Sequence, residues 1–135
     1  MAGREATVPS SDNLTGNWSL TTRIEVTDVS AFENMNLGFR LQLQQDGERI
    51  SGRGIKWMEN GKLIPERSRT SIFIGGIRRG NRLELRFTEH GTARTSTGTF
   101  VMDVGDDGAL RGQFASTSAN SSGSTIARRV TAEER

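Results

Sequence analysis

The residues able to do chemistry in this chain are few. His90 is the only histidine, and the 135 residues include no cysteine and no tyrosine. A multi-histidine metal site, a thiol nucleophile and a disulfide are therefore not available. No phosphate loop, dinucleotide fingerprint, nucleophile elbow or zinc-protease motif occurs, and Gly52-x-Gly54 is not followed by a helix that could bind phosphate. Neither a metal nor a cofactor is expected. His90 beside Glu89 reads as a solvated turn pair that a barrel mouth would bring close to a ligand. Lys56 shares its parity with Ile50, Gly52 and Gly54. A buried ammonium there would need a carboxylate or an acidic ligand, and a bulge turning it outward is the expectation. Glu59, Glu66, Arg67 and Arg69 surround Pro65 and read as a charged loop facing water.

The apolar candidates are more numerous. Phe32, Met35 and Leu37 occupy a segment between two strands, where three apolar side chains need something to cover. They either plug a cavity or roof a ligand. Phe39, Leu41, Leu85, Phe87, Phe100 and Phe114 serve equally as core or as cavity wall, and Trp57 and Met58 end the third apolar run.

The elements that must position these residues follow a period of two. Trp18, Leu20, Thr22, Ile24 and Val26 share one face, with Asn17, Ser19, Thr21, Arg23 and Glu25 on the other. Further runs cover about 39–44, 49–58, 70–78, 82–87, 100–104, 110–116 and 124–130. Asp46-Gly47, Arg79-Gly80-Asn81 and Gly105-Asp106-Asp107-Gly108 turn the chain. Pro65 makes 59–68 a loop. Ser30-Ala31-Phe32-Glu33 has the spacing of a capping box and predicts one or two helical turns over about 31–36, or an irregular lid.

Eight short strands joined by hairpin-sized turns form a meander, and closing it into a barrel removes the exposed edges; a two-layer sandwich is the alternative closure, which strand counting alone does not reject. The expected fold is all-β, a single eight-stranded antiparallel up-and-down barrel over 14–130, with a short helix or loop lid between strands one and two. Residues 1–13 read as a flexible leader and 131–135 as a frayed tail. Connections alternate between the two ends, so the long ones, 27–37 and 59–69, fall together, opposite three tight turns.

The formal net charge is +2, from 18 basic and 16 acidic residues. The two signs interleave, as in Arg82-Leu83-Glu84-Leu85-Arg86, which is the pattern of a solvated strand face; no nucleic-acid partner is expected. No apolar run approaches the ~18 residues of a membrane helix. The cytoplasm and export with a removed signal both remain open as compartments, and the oligomeric state is equally open.

Gly16-Asn17-Trp18 opens the first strand and Arg128-Arg129 closes the last. This pattern resembles the calycin superfamily of lipocalin-like small barrels. The resemblance implies that Trp18 sits at the closed end and that Arg128 or Arg129, according to parity, stacks across it. The chain is short and lacks the lipocalin disulfide, and with two Trp and no Tyr it does not match avidin-like biotin sites. Three functions follow as expectations. The first is binding of a small apolar or amphipathic molecule, with Phe32, Met35, Leu37, Phe39, Leu41, Trp57, Met58, Phe87, His90, Phe100 and Phe114 as ligand-binding residues. The second is a cofactor-free cyclase or isomerase that folds a flexible substrate inside the barrel. The third is a protein-binding or protease-inhibiting barrel.

Overall fold

Alternation of apolar and polar residues becomes strand structure because each run can bury one parity and wet the other. A computed structural model describes residues 13–91 and 93–130. Among them lie nine strands: β1 (Gly16–Val26), β2 (Asn36–Asp46), β3 (Arg49–Glu59), β4 (Lys62–Leu63), β5 (Thr70–Arg79), β6 (Arg82–His90), β7 (Thr95–Val104), β8 (Leu110–Ser116) and β9 (Ser121–Arg129). Eight of them close a ring in the order β1-β2-β3-β5-β6-β7-β8-β9, with β9 returning to β1 and every pairing antiparallel. β4 pairs only with the end of β3, outside the ring, through Met58↔Leu63 and Glu59↔Lys62.

The register brings the apolar parities together. Leu20 stands beside Phe39 on one side and Ala127 on the other, and Phe100 lies between Leu85 and Phe114. Near the base the interior is filled by Trp18, Leu20, Leu43, Ile50, Leu83, Leu85, Met102 and Leu110, all buried.

The base is sealed as the first and last strands suggested. Trp18 is 1 % exposed, its Nε1 donates to the Leu14 carbonyl at 2.8 Å, and the Arg129 guanidinium lies 4.7 Å from the ring centroid. Arg129 also donates to the carbonyls of Thr15, at 3.1 Å, and Asn13. Parity selects Arg129: Arg128 turns outward and lies 3.9 Å from the Asp107 carboxylate. Asp107 is held at its turn by Arg111, at 2.7 and 3.1 Å, and by the Ala109 N–H.

Two local features settle differently from a regular helix and a plain loop. Of the two alternatives for 31–36 the irregular lid is found, with a single 3-10 turn at Ser30–Phe32, Val29 at the cap position and no side-chain cap. Asn34 adopts φ 63, and β2 begins at Asn36, so the chain turns back before a helix can grow. The loop over 59–68 contains the extra strand β4, because Asn60 and Gly61, with φ 51 and 80, form a two-residue hairpin turn. Pro65 then ends the excursion, and a 3-10 turn follows at Glu66–Ser68. The leader, apart from Asn13, and the tail at 131–135 lie outside the described residues. No helix among those described is long and apolar enough to cross a membrane.

Candidate functional site

The ring strands run alternately between two ends. The 46–49, 79–82 and 104–110 connections gather at the Trp18 end; the 26–36, 59–70, 90–95 and 116–121 connections gather at the other. The half of the barrel under the second group is hollow. Its cavity measures about 500 Å³, within the ~300–1,000 Å³ range of small-molecule sites. Ile24, Phe39, Ile72, Phe87, Phe100 and Phe114 form its wall, and Phe32 and Met35 lean over it from the β1–β2 connection, with Leu37 beside them at the start of β2. Phe87 and Phe100 pack with centroids 4.8 Å apart and planes tilted by 36°.

The β1–β2 connection is tied to the β8–β9 turn across the mouth. The Asp28 N–H donates to the Ala119 carbonyl at 2.8 Å, Asn120 Nδ2 donates to Asp28 Oδ2 at 2.6 Å, and the Ser121 hydroxyl donates to Thr27 Oγ1 at 3.0 Å. The apolar roof is thus a braced loop rather than a free flap.

Into this apolar chamber the strands carry an ion pair. Lys56 on β3 points inward, and its Nζ lies 3.0 Å from Glu89 Oε2 on β6. Thr70, from the strand between them, donates its hydroxyl to the same oxygen at 2.7 Å. The side chains of Lys56 and Glu89 are only 18 % and 17 % exposed. The expectation that a bulge turns Lys56 outward is therefore corrected. The bulge lies one residue later: Phe39 pairs with Lys56 and Gly38 with Met58, which leaves Trp57 as the extra residue. Glu89 is the carboxylate that an inward lysine requires.

On the facing wall, Thr22 is 2 % exposed, and its Oγ1 has no hydrogen-bond partner among the described residues. Ser96, Ser116, Ser118 and Ser121 add hydroxyl groups toward the mouth, and Arg94 stands exposed at the rim. No group of three or more histidine, cysteine, aspartate or glutamate residues able to hold a metal is found among the described residues.

Seven of the expected ligand-binding residues line the cavity: Phe32, Met35, Leu37, Phe39, Phe87, Phe100 and Phe114. Four do not. Leu41 is buried lower down, beside Trp18 and Gly54. Trp57 lies on the outside with Arg40 stacked 4.5 Å above its ring. Met58 is carried outward by the bulge to pair with Gly38. His90 follows an inward Glu89 and so faces out, edge-on to Phe73 at 5.6 Å.

Sequence reasoning names Glu89 only as the partner of His90 in a solvated turn, and assigns no role to Thr70 or Thr22. The signal for an inward Glu89 is the alternation Leu83, Leu85, Phe87 extended by one step: the run read from the sequence stops at 87, whereas β6 runs to His90. Thr70 shares the parity of Ile72 and Ile74, and Thr22 that of Leu20 and Ile24, so both were readable as inward. Glu59, Glu66, Arg67 and Arg69 do not line the cavity.

Fold and site together define a class: a closed antiparallel barrel, sealed at one end by an arginine on a tryptophan and hollow at the other around a polar cluster. No family model, no curated protein and no solved structure matches the chain.

Proposed function

We propose that this protein is a calycin-like binding barrel that takes up a small, largely apolar or amphipathic molecule. The observation that carries this reading is the roughly 500 Å³ cavity, walled by phenylalanine and isoleucine and roofed by Phe32, Met35 and Leu37. Burial of apolar surface at ~25 cal/mol per Å² supplies affinity there without any charged clamp. The stacking of Arg129 on Trp18 supports the calycin-like reading of the base.

The test is a titration with the neutral fluorophore N-phenyl-1-naphthylamine, alongside native mass spectrometry of freshly purified protein. One saturable equivalent of fluorophore is expected, competing with any retained ligand. The substitution Ser116→Trp at the mouth should abolish its binding while leaving the barrel folded. Absence of saturable binding, or binding that Ser116→Trp does not affect, would sink the reading.

A second reading, a cofactor-free cyclase or isomerase, is favoured by one observation: Lys56 and Glu89 place an acid and a base against an apolar chamber. Turnover of a flexible polyene substrate, lost in Glu89→Gln while fluorophore binding survives, would select this reading over simple binding.

A further inference from the structure

The polar groups of the cavity are distributed in a way that restricts its ligand. Lys56, Thr70 and Glu89 cluster on the adjacent strands β3, β5 and β6, whereas Thr22 is on β1. In the ring, three strands separate β1 from β6 in either direction, so Thr22 and Glu89 occupy opposite walls.

Within the cluster the charges cancel over 3.0 Å. An anion entering the chamber would be drawn to Lys56 and repelled by Glu89, and a cation the reverse, while either would lose its hydration. A neutral oxygen function meets no such opposition. A hydroxyl can donate to the carboxylate and accept from the ammonium, and a carbonyl can accept from an ammonium that has three N–H groups. Arg94 adds a positive charge only at the exposed rim, where water screens it.

Thr22 makes a separate demand. Thr22 lines the cavity, and its hydroxyl is buried at that wall with no hydrogen-bond partner among the described residues; such a group is costly to leave dry. Its neighbour Thr125 on β9 is not in the same position, because that hydroxyl donates to the Thr21 carbonyl at 3.2 Å.

Resting on the reading of the cavity as a binding site, we propose that its ligand is an uncharged, largely apolar molecule bearing two oxygen functions, one placed against the Lys56–Glu89 pair and the other against Thr22 Oγ1 on the opposite wall. This chemistry covers diols, hydroxyketones and lactones bearing a hydroxyl group, and it excludes free fatty acids and alkylamines.

Displacement of N-phenyl-1-naphthylamine by ten-carbon probes tests it. 1-Decanol should bind about tenfold more tightly than decanoate or decylammonium, because neither charge is matched by a cluster that is already neutral. In a series of decanediols with the second hydroxyl moved along the chain, at least one should exceed 1-decanol by about fivefold. Thr22→Val should erase that advantage over 1-decanol, and Thr22→Ser should keep it. Decanoate or decylammonium binding as tightly as 1-decanol would overturn the proposal. So would a series with no favoured diol, or a diol advantage that survives Thr22→Val. Failure of the fluorophore to bind strikes instead at the reading of the cavity itself.

Discussion

Lys56 concentrates the energetic tension of this molecule in one side chain. Its ammonium and the Glu89 carboxylate are mostly withdrawn from water, and their attraction offsets the desolvation of both. Lys56→Met strands the carboxylate with only the Thr70 hydroxyl, and should cost about 1–3 kcal/mol by urea denaturation, less than for a fully buried pair because some water reaches it. The double substitution Lys56→Met with Glu89→Leu should recover most of that loss, since no charge is left behind. Asp107 gives a second prediction. Its hydrogen bonds to Arg111, then to the Ala109 N–H, with the charge of Arg128 close by, hold the carboxyl well below its ordinary value near 3.8. A depressed native pKa means that the folded state binds fewer protons than the unfolded one. The stabilisation is therefore complete above the ordinary value and is lost as the pH falls toward the native one. Asp107→Asn should flatten the stability profile below about pH 4; an unchanged acid limb in denaturation curves would contradict it.

At the scale of the element, the strands are fixed as much by what they exclude as by what they bury. Gly98 on β7 lies between Phe87 on β6 and Ser116 on β8, and a methyl group there would overlap the Ala115 carbonyl oxygen and sit 2.6 Å from Phe87 Cζ. Gly98→Ala should cost about 3 kcal/mol or more, read as a lowered Tm, because the β8 backbone has to move as well as Phe87, and it should reduce fluorophore uptake by distorting that side of the cavity wall. The bulge at Trp57 shows how one residue redirects an element. Up to Lys56 the parity of β3 points into the barrel; beyond it, Met58 turns away. The strands themselves were legible from alternation and turn chemistry, which are local. The bulge was not, because it depends on how β3 lies against β2, and no residue in Lys56-Trp57-Met58 signals it. The capping-box spacing at Ser30 misled for a related reason: a helix needs length, and the chain had to return to the sheet by Asn36.

At the scale of the whole molecule, the barrel has a filled half and a hollow half. The base packs Trp18, Leu20, Leu83 and Leu110 at 1 % exposure or less, while the mouth surrounds the cavity. Hydrogen exchange should follow this division, with the slowest amides around 18–20, 83–85 and 100–102 and faster exchange in the mouth connections 27–35 and 59–69. Saturating fluorophore should slow the mouth and leave the base unchanged. Arg129→Ala removes the guanidinium over Trp18 together with its hydrogen bonds to Thr15 and Asn13, and should cost about 1–3 kcal/mol without altering fluorophore affinity, because base and cavity are at opposite ends.

The sequence alone determined the eight ring strands, though not β4, and most of the apolar wall, because period-two alternation, turn residues and connection lengths are properties of short stretches. It left a barrel and a sandwich both open as closures, and in the barrel case it gathered both long connections at one end. It also narrowed the lid on Trp18 to Arg128 or Arg129. Only the tertiary structure decided that Lys56 meets Glu89, that Thr22 stands on the wall opposite Glu89, and that Trp57, Met58 and His90 look outward. Those outcomes depend on the register between strands distant in sequence, on a single bulge and on the exact length of β6, and a shift of one residue in any of them reverses which face a side chain occupies.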